Sequence, residues 1–213
     1  RILLQYMVLG NGPGAENGCV AGAFIKSRKD MEMPDLQFHF IPLILSDHGR
    51  ERFTEPGLSI HVCQLRPESR GEVKLASKNP LDNPSIKANY LSVRSDLDTM
   101  VEGVKLARKI FQAKVFSAFL GEEFEASRGA VGDEDIASFV RKNAETIYHP
   151  VGTCKMGNDD LAVVDERLRV HGLDSLRIVD ASVMPTLIGG NTNAPTIMIA
   201  EKASEMITRD NAT

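Results

Sequence analysis

Apolar and polar positions change their period along the chain. Between residues 19 and 91, short runs rich in β-branched and aromatic residues alternate with turn residues, at 19–28, 36–45, 58–65, 71–76 and 86–90. Runs of this length bounded by Pro, Gly, Asn or Asp predict strands. No helical pattern separates them, so an antiparallel sheet joined by turns is expected. Residues 64–71 and 78–84, each built around Pro with Arg, Ser, Asn, Asp or Gly, supply two of the turns.

From Ser95 the period becomes 3.6. Leu97, Met100, Val101, Val104, Ala107, Ile110 and Phe111 fall on one face, which predicts an amphipathic helix. Ser95 and Asp98 have the spacing of a capping box. Residues 133–145 repeat the pattern with Ile136, Phe139, Val140 and Ala144, opened by acids that suit a helix N-terminus. Past residue 146 the runs shorten: 163–165 and 176–180 read as short buried strands. A last helix follows over 195–207, with Ile197, Ala200, Ala203 and Ile207 on one ridge. Asn193 stands where a cap belongs, and Pro195 is tolerated in the first turn.

Composition narrows the function classes. The 213 residues carry 25 Lys and Arg against 29 Asp and Glu, a net charge of −4. Nucleic-acid and anionic-surface binding call for a basic excess, so neither is expected. No apolar run approaches the roughly 18 residues of a membrane span. Cys19, Cys63 and Cys154 are odd in number and far apart, with no CxxC pair. They predict neither a disulfide framework nor a metal site, and they fit a reducing compartment. The opening Arg1-Ile2-Leu3-Leu4 has no initiator Met, basic n-region or cleavage site, so a fragment of a longer chain is expected and not a signal peptide. The glycine-rich stretch 10–18 lacks GxGxxG spacing and a preceding strand, so it reads as a loop and not as a phosphate cradle.

Two places combine polar chemistry with a constrained backbone. In Tyr148-His149-Pro150-Val151-Gly152-Thr153, the proline drives His149 out of the helical region and presents its imidazole from an extended or turn backbone. An imidazole can accept a proton near neutral pH; on local grounds alone a structural histidine is the commoner outcome. The second place is the glycine–asparagine loop 189–193 running into the last helix. Its amides and the helix dipole suit a partial negative charge, although plain capping by Asn193 explains the same residues.

Four ordered blocks, at 148–157, 163–172, 176–185 and 190–202, resemble the C-terminal signature of the glucose–methanol–choline oxidoreductases. They read Tyr-His-Pro-Val-Gly-Thr-Cys-Lys-Met-Gly, Val-Val-Asp-Glu-Arg-Leu-Arg-Val-His-Gly, Leu-Arg-Ile-Val-Asp-Ala-Ser-Val-Met-Pro and Gly-Asn-Thr-Asn-Ala-Pro-Thr-Ile-Met-Ile-Ala-Glu-Lys. Earlier stretches at 22–28, 34–40 and 66–71 extend the resemblance over nearly the whole chain, closest to the choline dehydrogenase and aliphatic alcohol dehydrogenase branch. The family's GxGxxG-bearing βαβ unit is absent from these residues, so the chain resembles the C-terminal part of such an enzyme.

The resemblance implies an α+β fold. Residues 1–147 would form the substrate-binding domain, an antiparallel sheet with flanking helices. Residues 148–213 would form the returning C-terminal segment of an FAD-binding α/β domain. It implies FAD as cofactor, a primary alcohol (aliphatic or choline) as substrate, and a quinone or oxygen as electron acceptor. By resemblance His149 and Asn193 are the catalytic pair and His39 binds substrate. Asp180, Ala181, Asn191, Thr192, Ala194 and Thr196 contact FAD, and no metal is involved. His39 is flanked by Phe38 and Phe40, and alternation decides only which face it shares. His48, His61 and His171 are assigned surface or structural roles. A cytoplasmic location, or one peripheral to the inner face of a membrane, is expected. A non-catalytic ligand-binding module and a pure interaction surface are the other classes; the joint presence of His149 and Asn193 counts against both.

Overall fold

The strand-forming residues Ala21–Ile25 (β1), Leu36–Ile41 (β2) and Ser59–Gln64 (β3) pair in that order as one antiparallel sheet. This is a computed structural model; it describes residues 2–51, 53 and 55–210, and the His48 side chain lies outside the description, as does the role assigned to it. A separate antiparallel ribbon pairs Glu72–Lys74 (β4) with Ser85–Lys87 (β5). The expected five strands are therefore present, but they form two sheets instead of one. The helices are Ile2–Leu9 (α1), Arg94–Phe111 (α2), Glu125–Arg128 (α3), Asp133–Asn143 (α4) and Asn193–Asp210 (α5). The result is a mixture of helix and antiparallel sheet, the fold class the sequence predicts.

The chain forms two compact units, one from residues 1–64 and 93–145, the other from 65–92 and 146–213. In the first unit, α2 packs on β3 and on α4. Leu36, Phe38 and Ala107 make the buried contact between sheet and helix, flanked by Ile60, Val62, Leu106 and Ile110. Leu97, Val101, Ile136 and Val140 are buried as the 3.6-residue period requires, each contributing about 1.5–3 kcal/mol by leaving water. Two buried carboxylates are satisfied. Asp35 accepts from the Ser27 amide at 2.7 Å and its hydroxyl at 2.5 Å, and Asp96 accepts from Gln64 Nε2 at 3.0 Å.

The capping box expected from Ser95 and Asp98 does not form. The helix begins two residues earlier than that box requires, at Arg94 after an extended Val93, and Asp98 is taken by Arg94 at 2.8 Å, four residues back on the same face. At α4 the equivalent bond does form: the Asp135 carboxylate accepts from the Gly132 amide at 3.2 Å. Helix α1 was not predicted. Its residues, Ile-Leu-Leu-Gln-Tyr-Met-Val-Leu, are apolar all round and none is buried.

In the second unit the core is Val164, Leu168, Val183, Met184, Ile199 and Ala203. The short strands expected at 163–165 and 176–180 are absent. They are replaced by single bridges, Met156 to Val164, Val164 to Val170 and Arg169 to Arg177. Positive φ angles at Leu168, Gly172 and Ser175 turn the chain too often for a ladder to extend. The end of α5 is fixed by charge: Asp210 accepts from Arg167 at 2.5 Å, from Arg169 at 2.7 Å, and from Arg177.

Candidate active site

The segment carrying His149 is held by its backbone. The Cys154 amide donates to the Ser182 carbonyl at 3.1 Å and the Met156 amide to the Val183 carbonyl at 2.9 Å. Two residues beyond the imidazole, Val151 packs on the Val164–Val183–Ile199 core. His149 itself is half-buried, and burial lowers its pKa below the usual imidazole value. It is thereby biased towards the neutral form that can accept a proton. The preceding Tyr148 has φ 60°, a conformation uncommon outside glycine, and its amide donates to Thr146 Oγ1 at 3.0 Å. Strained backbone beside a half-buried titratable group is the pattern of a functional site.

Asp180 opens a short turn over Ala181–Val183, its carboxylate accepting from the Ser182 amide at 2.7 Å. This turn packs on α5. Asp180 is exposed and Ala181 half-buried against the core.

The loop into α5 departs from expectation in one respect. Asn193 is the first helical residue and not the cap; the cap position falls to Thr192. The Thr192 carbonyl accepts from both the Thr196 amide at 3.1 Å and the Thr196 hydroxyl at 2.7 Å, which closes the first turn. Asn191, Asn193 and Ala194 are exposed there, at the positive end of an 18-residue helix whose first amides lack intrahelical partners. Ile199 and Ala203 on the same helix belong to the core that also seats the 151–156 segment and the 181–184 turn. One core thus gathers the His149 segment, the Asp180 turn and the middle of α5.

The sequence reading missed Arg66. Its guanidinium lies against Gly189, where a β-carbon would stand 2.6 Å from Nη2. The signal was the 66–71 block, whose leading arginine has no turn-forming purpose of its own.

His39 belongs to the first unit. It lies on β2 between Phe38 and Phe40, directly opposite His61 on β3. Phe38 faces α2, so alternation turns His39 and His61 to the other face of the sheet. The remaining histidine, His171, is bound through Nε2 to the Gly157 carbonyl at 3.0 Å, a structural use. Among the described residues no group of three His, Cys, Asp or Glu side chains could hold a metal, and no helix is long and apolar enough to cross a membrane.

A family model described as GMC oxidoreductase matches residues 67–200. The chain is 47% identical to an alcohol dehydrogenase [acceptor] of Pseudomonas putida, over 97% of this chain and 38% of that protein. It is 45% identical to an oxygen-dependent choline dehydrogenase of Pseudomonas savastanoi pv. phaseolicola, over 95% and 36%. A crystal structure of formate oxidase superposes with a TM-score of 0.86 at 25% identity, covering 98% of this chain and 41% of that one. The chain therefore spans a little over a third of the length of the relatives it matches. Across that third, sequence and fold point the same way, and the chain belongs to the GMC oxidoreductase family.

Proposed function

We propose that this chain is the C-terminal part of an FAD-dependent alcohol dehydrogenase that oxidises a primary alcohol, aliphatic or choline, to the aldehyde. The observation that carries the reading is the single core in which Val151 of the His149 segment and Ala181 of the Asp180 turn pack with Ile199 and Ala203 from the middle of α5. The names of the relatives, alcohol dehydrogenase [acceptor] and choline dehydrogenase, support the substrate class. Substrate binding is assigned to residues 1–147 and cofactor binding to residues 148–213.

The residues present fit a flavin. The Asn193 and Ala194 amides, which have no intrahelical partner, and the positive end of the α5 dipole suit a ring that gathers negative charge on reduction. FAD, when bound, supplies the acceptor for the hydride leaving the alcohol carbon. Around it, Asn191, Thr192, Ala194 and Thr196 shape the amide end of the helix, and Asp180 and Ala181 serve the ribityl–phosphate portion. His149, kept neutral by burial, accepts the hydroxyl proton, and Asn193 donates to the oxygen as alkoxide character develops. His39, in the first unit, is assigned to substrate binding. A quinone or oxygen would be the final electron acceptor of the complete enzyme. The three free thiols support a cytoplasmic setting.

The test is His149→Ala in the complete, flavin-loaded enzyme. kcat and kcat/KM are expected to fall together by roughly 10²–10⁴, the range for a positioned acid–base group, with flavin content retained. Wild-type turnover in that variant would return His149 to a structural role.

A further inference from the structure

Strand register puts two histidines face to face. His39 of β2 and His61 of β3 are direct partners in the antiparallel ladder, which brings their β-carbons to about 4.5–5.5 Å. Both turn away from the α2 side, where Leu36 and Phe38 are buried. Two residues along, Gln37 and Cys63 repeat the arrangement, with Cys63 Sγ donating to Gln37 Oε1 at 3.9 Å. The sheet therefore carries a half-buried polar face with the histidine pair in it. His61 is also tied to the chain beyond β2, because its ring donates to the Leu45 carbonyl.

We propose that His61 is a positioning residue for His39: facing it across the ladder and anchored on the Leu45 carbonyl, it fixes the orientation in which the His39 imidazole meets the alcohol. This rests on the alcohol-binding reading of His39 given above. The anchor uses one His61 N–H, so in the neutral ring the other nitrogen is an acceptor. An acceptor beside His39 selects which of that ring's nitrogens carries hydrogen, and hence what it presents to a hydroxyl. His61 suits this task only while neutral. Burial, and then the charge of His39, hold its pKa down, against the opposing pull of Glu145 and the Leu45 carbonyl. The remaining titratable neighbour on its strand, Cys63, is pushed up to about 11 by burial and stays a thiol.

The complete enzyme with ¹³C-labelled histidine rings decides the question. His39→Gln is expected to move the His61 titration to higher pH. His61→Gln should raise KM for the alcohol roughly three- to fivefold, the scale of one cross-strand pair, with kcat within about twofold and flavin content unchanged. His61→Phe, which cannot donate to Leu45, should raise KM further. An unmoved His61 titration, or an unmoved KM in both His61 variants, overturns the proposal. If His39→Gln raises KM and the His61 variants do not, His61 alone is excluded. If His39→Gln leaves KM unchanged, the alcohol-binding reading of His39 fails and the role of His61 falls with it. Should both His61 variants misfold, the titration in His39→Gln still gives the answer.

Discussion

Gly103 of α2 is set directly over Val62 of β3: a β-carbon there would stand 2.6 Å from Val62 Cγ1 and 3.4 Å from a methyl of the fully buried Leu36. The helix backbone approaches the sheet this closely because the position has no side chain. Gly103→Ala gains about 1 kcal/mol of helix propensity but forces the packed layer apart, at about 1–3 kcal/mol. A net loss of stability is expected, measured as a lower denaturation midpoint with an unchanged m-value.

Asp210 gathers Arg169, Arg177 and Arg167, which hold its carboxyl at about 2, well below the usual range. A carboxylate whose folded pKa is depressed stabilises the fold above its unfolded value near 3.9, and that contribution disappears as pH falls towards 2. Asp210→Asn should lower the Tm at neutral pH and flatten its decline between about pH 4 and 2. Thermal melts of both proteins across that window check it.

Asn193→Asp separates helix stability from chemistry. A carboxylate in the first turn is favoured by the dipole by about 0.3–1 kcal/mol, so the melt should hold or rise. The same charge would oppose both an alkoxide and an anionic reduced flavin. Flavin reduction by alcohol in the complete enzyme should slow at least roughly tenfold, about 1.4 kcal/mol of barrier. Anaerobic stopped-flow reduction and a melt on one sample report both effects.

Burial lowers the His149 pKa, so the base form persists on the acid side of the ordinary imidazole value near 6.5. The acid limb of kcat/KM in the complete enzyme should therefore lie below pH 6.5. In His149→Ala that limb should vanish from the residual activity.

Much of the fold was legible because burial obeys simple periods. Leu97, Val101 and Ala107 on α2, and Ile136 and Val140 on α4, are buried where a 3.6-residue repeat places them. What failed was decided by competition between neighbours. Arg94 claimed the Asp98 carboxylate, and the helix start moved with it. Thr192 took the cap position at α5, leaving Asn193 in the first turn. The division of five strands into two sheets was hidden because turn residues say where a strand ends, not which sheet the next one joins. Helix α1 gave no periodic signal, since apolar residues lie on every side of it. At the candidate site the motif residues could be located by their blocks, while the opposition of His39 and His61 needed the register of β2 against β3.

The two compact units are interleaved in the chain, with crossings after residues 64, 92 and 145. Neither can therefore be cut out as one continuous piece of sequence. During synthesis the first unit waits for residues up to 145, and the β4–β5 ribbon emerges long before the rest of its own unit. A two-stranded ribbon is marginal in water by itself, so a product truncated before residue 146 would carry an unsupported ribbon inserted between the halves of the first unit. Limited proteolysis of such a product should cut first within residues 65–92.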